Sequence, residues 1–133
     1  MSKKIGDTVR AHYKSGTYIG KILEDRGDRF LIEVLAVHKH PLQGDIHQPF
    51  QVENVFFHER KALAYREKMN VKKPAVHPYH EPVPSYGHSL KTAVQAIKEK
   101  LQTEETAAYN KMALRNIERL EDTYYKDIYK KAL

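Results

Sequence analysis

Apolar and polar residues alternate along the first third of the chain, and this pattern predicts antiparallel strands. From Val9 to Tyr13 every second residue is apolar, which is the period of a strand with one buried face. Gly16 and Gly27 lie in two short turn-like stretches, where glycine supplies the backbone freedom that a tight turn requires. The most apolar run of the chain, residues 29–37, follows the second turn. Residues 6–37 are therefore predicted to form a three-stranded meander.

The spacing of apolar residues changes after a loop that contains Pro41 and Pro49. Residues 52–57 alternate again and predict a fourth strand, and residues 45–47 are a candidate for a short fifth one. Residues 58–67 have the helical period and predict a helix of two to three turns. Four of the six prolines fall within residues 74–86, which predicts an extended, polyproline-like linker because proline lacks a backbone donor.

Two apolar stripes at helical spacing follow the linker. The first begins near Ser89, which is a predicted N-cap, and the second begins near Thr106, a second predicted N-cap. In the second stripe Tyr124 is assigned to the packed face, whereas Tyr125 and Tyr129 are assigned to an exposed patch. Neither helix can bury its stripe alone, so the pair is predicted to form an antiparallel hairpin.

These elements predict an α+β protein. Residues 1–60 would form a small antiparallel β-sheet bent into an SH3-like barrel, with an open antiparallel sheet as the alternative. Residues 61–88 would supply a short helix and the Pro-rich linker, and residues 89–133 the C-terminal α-helical hairpin.

Composition narrows the range of functions. The 133-residue chain contains no cysteine, which excludes disulfides, zinc–thiolate sites and cysteine nucleophiles. The formal net charge is +6, but residues 1–60 contribute only +1 and residues 61–100 contribute +5. A basic barrel surface for nucleic acid is therefore disfavoured. The N-terminus lacks the apolar region of a signal peptide and no run reaches membrane-spanning length, so a cytoplasmic location is expected.

Histidines suggest a metal site, which is a minor hypothesis. His38 and His40 are two apart, and Asp45 and His47 follow in the same loop. Two histidines at that spacing on an extended segment point to one side, as a chelate requires. Solvated or hydrogen-bonded loop histidines are more common than ligands, and no further ligand has a fixed spacing. No metal and no other cofactor is therefore expected.

Catalytic motifs are absent from the sequence. His58 and Glu59 are a possible acid–base pair, but at the start of a predicted helix they are more simply a cap and a partner of the helix dipole. The sequence has no P-loop, no dinucleotide fingerprint and no nucleophile elbow. An enzyme is not expected.

A partner-binding edge is predicted around the end of the fourth strand. Phe56 and Phe57 are adjacent, so in a strand they point to opposite faces and only one of them can fill the core. The simpler expectation is that the helical hairpin covers the other. If it stays exposed, an aromatic ring beside an arginine resembles an interaction hot spot. The candidate partner-binding residues are Phe57, His58, Arg60, His38 and His40.

Several blocks of the sequence resemble the kinase-associated protein B family of spore-forming, Bacillus-like bacteria. The blocks are GDTVRA at residues 6–11, YKSGTYIG at 13–20, AVHKHP at 36–41, QGD at 43–45 and VFFHERKALA at 55–64. The resemblance extends through both C-terminal helices. It implies an antiparallel sheet with an extending helical region, and an accessory role for a sensor histidine kinase in the phosphorelay that initiates sporulation. It implies no active-site residues.

The leading hypothesis is therefore a non-catalytic regulatory protein that acts with a histidine kinase, directly or indirectly. A small RNA-binding barrel is the alternative, since such barrels often bind RNA and the chain is basic. The family has also been called a lipoprotein, and this chain departs from that label because it has neither signal peptide nor cysteine. Proximity to the inner face of the membrane would then come through the kinase.

Overall fold

A five-stranded antiparallel sheet forms one layer of the protein. The computed structural model describes residues 3–44, 57–102 and 108–131. The strands are β1 (Thr8–Tyr13), β2 (Gly16–Asp25), β3 (Arg29–Lys39), β4 (Lys68–Lys72) and β5 (Val76–Pro78). Their order across the sheet is β4-β3-β2-β1-β5.

The meander predicted for residues 6–37 is confirmed by β1, β2 and β3. β1 and β2 pair without interruption from Thr8 opposite Lys21 to Tyr13 opposite Gly16. β2 and β3 pair with three register shifts, and such bulges increase the twist of a sheet. The backbones of β2 and β3 lie close together at Gly20, because a Cβ there would lie 2.6 Å from the carbonyl oxygen of Glu33.

The helix predicted for residues 58–67 is wrong. Residues 57–64 have no regular secondary structure, and β4 follows after a turn. Arg66 has a φ of 69°, which a right-handed helix does not allow. Its backbone N–H instead donates to Val34 O at 2.7 Å, and Val34 N–H donates to Glu67 O at 2.8 Å. Hydrogen bonds to the sheet thus replace the helical ones that local propensity favours.

The proline-rich stretch is extended, as predicted, but part of it belongs to the sheet. A short 3₁₀ turn at Lys73–Ala75 leads into β5, which pairs with β1 at the sheet edge. Pro78 sits in this edge strand, where a missing backbone donor is tolerated. A boundary after residue 60 would separate β4 and β5 from the strands that they pair with.

Helices follow the sheet in the described part of the C-terminal third. α1 spans Tyr86–Gln102, α2 spans Ala108–Leu120 and α3 spans Lys126–Tyr129. The N-cap prediction for Ser89 is wrong, because the helix begins three residues earlier and Ser85 Oγ accepts from His88 N–H at 3.3 Å. The predicted cap at Thr106 lies outside the described residues, as do the short strand predicted at residues 45–47 and all but the last residue of the strand predicted at residues 52–57.

A π-helical turn at Glu121–Tyr125 joins α2 to α3 and reverses two predictions about tyrosines. Tyr125 is 1% exposed, whereas Tyr124 is 44% exposed. A π turn inserts one extra residue, which rotates everything after it by about 100° around the helix axis. Tyr125 therefore takes the buried place that an uninterrupted α-helix would give to Tyr124, and Tyr129 is half-buried beside it.

One hydrophobic core spans the sheet and the helices. Val34 and Val37 of β3 belong to the same buried cluster as Leu90 and Val94 of α1. Buried Ser89 links the two layers, since its hydroxyl accepts from Val37 N–H at 3.0 Å and donates to Tyr86 O at 2.8 Å. The α+β class is confirmed. The SH3-like closure of the sheet stays a prediction.

The helices touch each other at two places that favour the predicted hairpin. A Cβ at Gly87 would lie 2.9 Å from the carbonyl oxygen of Ile128, so the start of α1 meets the end of α3. Further along α1, Lys98 Nζ pairs with a carboxylate oxygen of Glu121 at 2.8 Å. Residue numbers therefore rise along α1 while those of the contacted residues fall, as they do in two antiparallel segments. The hairpin itself stays a prediction.

Candidate functional site: a groove beside residues 57–64

The irregular segment of residues 57–64 borders a surface groove of about 330 Å³. The turn between β1 and β2 also lines it. Ser15, Pro41 and Leu63 line the groove, together with two tyrosines, one histidine and charged side chains of both signs. The tyrosines are Tyr13 and Tyr18, the histidine is His58, and the charged residues are Lys14, Glu59, Arg60, Lys61 and Glu67.

Gln43 holds the segment to the end of β3. Its side chain is buried, and its amide donates to Arg60 O at 2.9 Å and to Pro41 O at 3.2 Å. Its Oε1 accepts from Arg60 N–H at 2.8 Å. The Arg60 guanidinium then donates through Nε to Gly44 O at 2.8 Å. Residue 60 is therefore fixed by both its backbone and its side chain.

His40 and Tyr125 form a buried pair beneath the groove. Tyr125 Oη accepts from Ala62 N–H at 3.0 Å, so its own proton is directed to His40 Nε2 at 2.8 Å. His40 Nε2 must then be unprotonated, and Nδ1–H donates to Pro41 O at 2.9 Å. Burial lowers the pKa of His40 to about 4 and raises that of Tyr125. Both groups are neutral at physiological pH.

Two more tyrosine hydroxyls hold Leu63. Tyr18 Oη accepts from Leu63 N–H at 3.3 Å, and Tyr86 donates to Leu63 O. Burial raises the pKa of Tyr18 to about 12. A phenol that is buried needs a hydrogen-bond partner, and here the partner is the backbone of an otherwise irregular segment. Both backbone groups of Leu63, which lines the groove, are therefore hydrogen-bonded to buried tyrosines.

The five candidate partner-binding residues do not form one surface. His58 is exposed at the groove. Arg60 is half-buried, and it is hydrogen-bonded to Gln43 and Gly44. Phe57 is half-buried, with its ring centroid 5.7 Å from that of Tyr109 in α2, in line with cover by the helices. His40 is 4% exposed and faces inward. His38 is exposed and lies at the end of β3, outside the groove.

His38 and His40 also differ from a chelating pair, since one is exposed and the other is buried against Tyr125. Within residues 3–44, 57–102 and 108–131, no three His, Asp or Glu side chains gather as a metal site would require. Asp45 and His47 lie outside these ranges. Glu59, the other half of the proposed acid–base pair, binds Arg119 of α2 at 3.3 Å.

Sequence reasoning missed the residues that hold the irregular segment of residues 57–64 in place. Gln43, Tyr18, Tyr86 and Tyr125 are polar or amphipathic side chains whose importance depends on contacts between distant parts of the chain. The only available signal was nine tyrosines and no tryptophan. Tyrosine is enriched at protein interfaces, whereas four of the tyrosines here are buried within the protein: Tyr18, Tyr86, Tyr109 and Tyr125.

Comparison with known proteins identifies the family. The model of the family described as "Kinase associated protein B" matches residues 13–125. The chain belongs to this family. Kinase-associated lipoprotein B of Bacillus subtilis (strain 168) is 43% identical over 120 residues, which cover 90% of this chain and 93% of that protein.

A crystal structure of kinase-associated protein B from Bacillus cereus supports the fold. It is 30% identical, covers 92% of this chain and 98% of its own, and superimposes with a TM-score of 0.78. The B. subtilis relative carries the word lipoprotein in its name. Among the helices that the structure describes, none is long and apolar enough to span a bilayer.

Proposed function

We propose that this protein is a non-catalytic accessory factor of a sensor histidine kinase in the phosphorelay that initiates sporulation. The observation that carries the proposal is membership of a family named for its association with a kinase, over residues 13–125. A non-catalytic role also fits the groove, because Glu59, half of the proposed acid–base pair, is paired with Arg119. Gln43 is likewise engaged, since it bonds the backbone of Arg60.

We propose the rim of the groove as the surface that meets the kinase. His58 and Lys61 are exposed there, and Lys61 Nζ lies 3.9 Å from the ring centroid of exposed Tyr124. Tyrosine is one of the residue types enriched in binding hot spots, and the attraction of the Lys61 ammonium to the Tyr124 ring holds the two exposed side chains together. In this proposal Phe57, Arg60 and His40 support the surface from beneath, and His38 has a separate role.

Binding to the cytoplasmic part of the candidate kinase tests both statements. The full chain should bind the kinase, and a His58→Ala, Lys61→Ala variant should bind at least about tenfold more weakly with a melting temperature within about 2 °C of the parent. Lys91→Ala, which removes an exposed cation from α1, is the matched control and should bind normally.

If Lys91→Ala weakened kinase binding equally, the rim of the groove would not be the surface that meets the kinase. No binding by the full chain, together with normal kinase-dependent sporulation in a deletion strain, would reject the accessory role. Salt-dependent binding to random RNA, with a slope that corresponds to several phosphate contacts, would favour the RNA-binding alternative instead.

The proposed location is the cytoplasm, at the inner face of the membrane when the kinase is bound. It rests on the sequence, which contains no cysteine that could carry a lipid. Fractionation of cells with and without the kinase tests it. Retention in the membrane fraction without the kinase would contradict it.

A further inference from the structure

Two strands bring basic side chains together on the outer face of the sheet. Arg10 and His12 are two apart in β1 and so share a face, opposite to the one that Val9 and Ala11 bury in the core. His77 of β5 pairs with Arg10 in register, and its ring centroid lies 5.4 Å from that of His12. All three side chains therefore lie beside one another at this edge of the sheet.

The end of β3 lies in the same cross-strand row, because His12 pairs with Thr17 of β2 and Thr17 pairs with Lys39 of β3. His38 is the extra residue of the adjoining register shift, and its side chain is exposed. Burial lowers the pKa of His38, and the positive charges of Arg10 and Lys39 lower it further. Burial, His77, Arg10 and Lys39 likewise lower the pKa of His12. The Glu81 carboxylate acts on His38 in the opposite sense and raises its pKa.

Arg10 differs from the paired arginines of the protein. Its Nε is buried and has no hydrogen-bond partner within the described residues. Four other arginines each form an ion pair with a carboxylate: Arg26, Arg29, Arg66 and Arg119. A buried donor without a partner is costly and rare in folded proteins, and a bound group that accepts the hydrogen bond removes that cost.

We propose that Arg10, His12, His38 and His77 form a binding site for a doubly charged oxyanion, that is, a phosphoryl group. The guanidinium fork matches two oxygens of such a group, and imidazole N–H groups supply further donors. His12 engages Nδ1 with Thr17 Oγ1 at 3.1 Å, and this leaves Nε2 for the ligand.

The charge balance favours an anion over a metal ion. A bound dianion offsets the mutual repulsion of the basic groups, whereas a cation beside Arg10 would add to it. The site does not depend on the proposed accessory role, because it is separate from the groove and makes no use of a kinase.

Sulfate is the first probe, because it keeps its two charges between pH 5 and 8 and any pH dependence then belongs to the protein. NMR signals of the His12 and His77 rings should shift saturably with sulfate and with inorganic phosphate. Sulfate should bind several-fold more tightly at pH 5.5 than at pH 7.5, because protonated imidazoles bind it better. It should also raise the pKa of His12.

Variants with opposite expected effects make the test specific. Arg10→Gln should weaken sulfate binding at least about tenfold, since it removes the guanidinium fork. Glu81→Gln should strengthen binding by about two- to fivefold, because it removes the nearby carboxylate. Arg29→Gln removes the same charge from the far end of β3 and is the control.

Three outcomes would overturn the site: no saturable shift at pH 6 with up to about 50 mM of either anion, no gain with Glu81→Gln, or equal weakening with Arg10→Gln and Arg29→Gln. Should Arg10→Gln fail to fold, His77→Gln takes its place.

Vesicles distinguish two sources of the phosphoryl group. Sedimentation with phosphatidylglycerol vesicles, but not with phosphatidylcholine vesicles, in a manner that requires Arg10, would assign the site to a lipid headgroup. Binding of free phosphate without vesicle binding would assign it to a small phosphorylated ligand.

Discussion

At the scale of single residues, the buried histidine beneath the groove has a direct consequence for stability. His40 has a pKa of about 4 in the folded protein and about 6.5 when it is unfolded. The unfolded chain therefore binds a proton more readily than the folded one. The contribution of neutral His40 to the free energy of unfolding is fully present above pH 6.5, and it is lost as the pH falls from 6.5 towards 4.

We expect this residue to cost the protein about 2 kcal/mol of unfolding free energy between pH 7 and pH 5. Urea unfolding at several pH values measures it. His40→Gln should reduce the slope of stability against pH in that window, and His88→Gln, which removes an exposed histidine of α1, should leave it unchanged. Parallel curves for the parent and His40→Gln would show that His40 does not set the acid limit.

The tyrosine that orients His40 gives a second prediction at this scale. Tyr125→Phe keeps the ring but removes the hydroxyl that bonds both His40 Nε2 and Ala62 N–H. Two buried polar groups then lose their partner, and we expect a loss of roughly 2–4 kcal/mol. Tyr124→Phe is the matched control, since that ring is exposed and one position away. Similar melting temperatures for the two variants would contradict the assignment.

At the scale of elements, the π-helical turn determines which tyrosine is buried. Deleting exposed Thr123 would turn the π turn into an α-helical one and keep Tyr125 on the buried face. We expect this deletion to cost about 1 kcal/mol or less. Deleting Arg115 from α2 should instead rotate Ile117 and Leu120 out of register and abolish cooperative unfolding. Circular dichroism melts compare the two, and loss of the fold on deletion of Thr123 would refute this explanation.

The same turn illustrates what a sequence pattern can and cannot predict. The meander was accessible, because strand period and glycine turns are local signals, and so was the presence of two amphipathic helices. A π insertion leaves no mark in the apolar spacing, so the phase of the last stripe was misassigned. Residues 58–67 have helical spacing, yet their backbone groups bond Gln43, Tyr125 and Tyr18 instead.

β4 was missed for a related reason, although its signal was visible. Met69 and Val71 are buried and alternate with exposed neighbours in Lys68–Lys72. The preceding helical spacing concealed this short strand. Within the candidate site, His58 could be identified from its sequence position, whereas the tyrosines and Gln43 could not. Their partners are 17 to 85 residues away in the chain, and no local pattern encodes such pairings.

At the scale of the whole molecule, the sheet and the helices share one hydrophobic core. Leu90 and Val94 of α1, and Tyr125 beyond α2, belong to the same buried cluster as Val34 and Val37 of β3. The helices also complete hydrogen bonds of the sheet layer. Ser89 bonds Val37 N–H, and Tyr86 bonds the backbone of the irregular segment.

We therefore expect a chain that ends at residue 84 not to fold on its own. It would expose the apolar face of β3 and leave Val37 N–H without its partner, and a sheet of this size has little stability to spare. Its thermal and urea unfolding should lack a cooperative transition, whereas a chain ending at residue 131 should unfold like the full protein. A cooperative transition in the shorter chain would mean that residues 1–84 form an independent barrel, and that the helices are a separate unit resting on it.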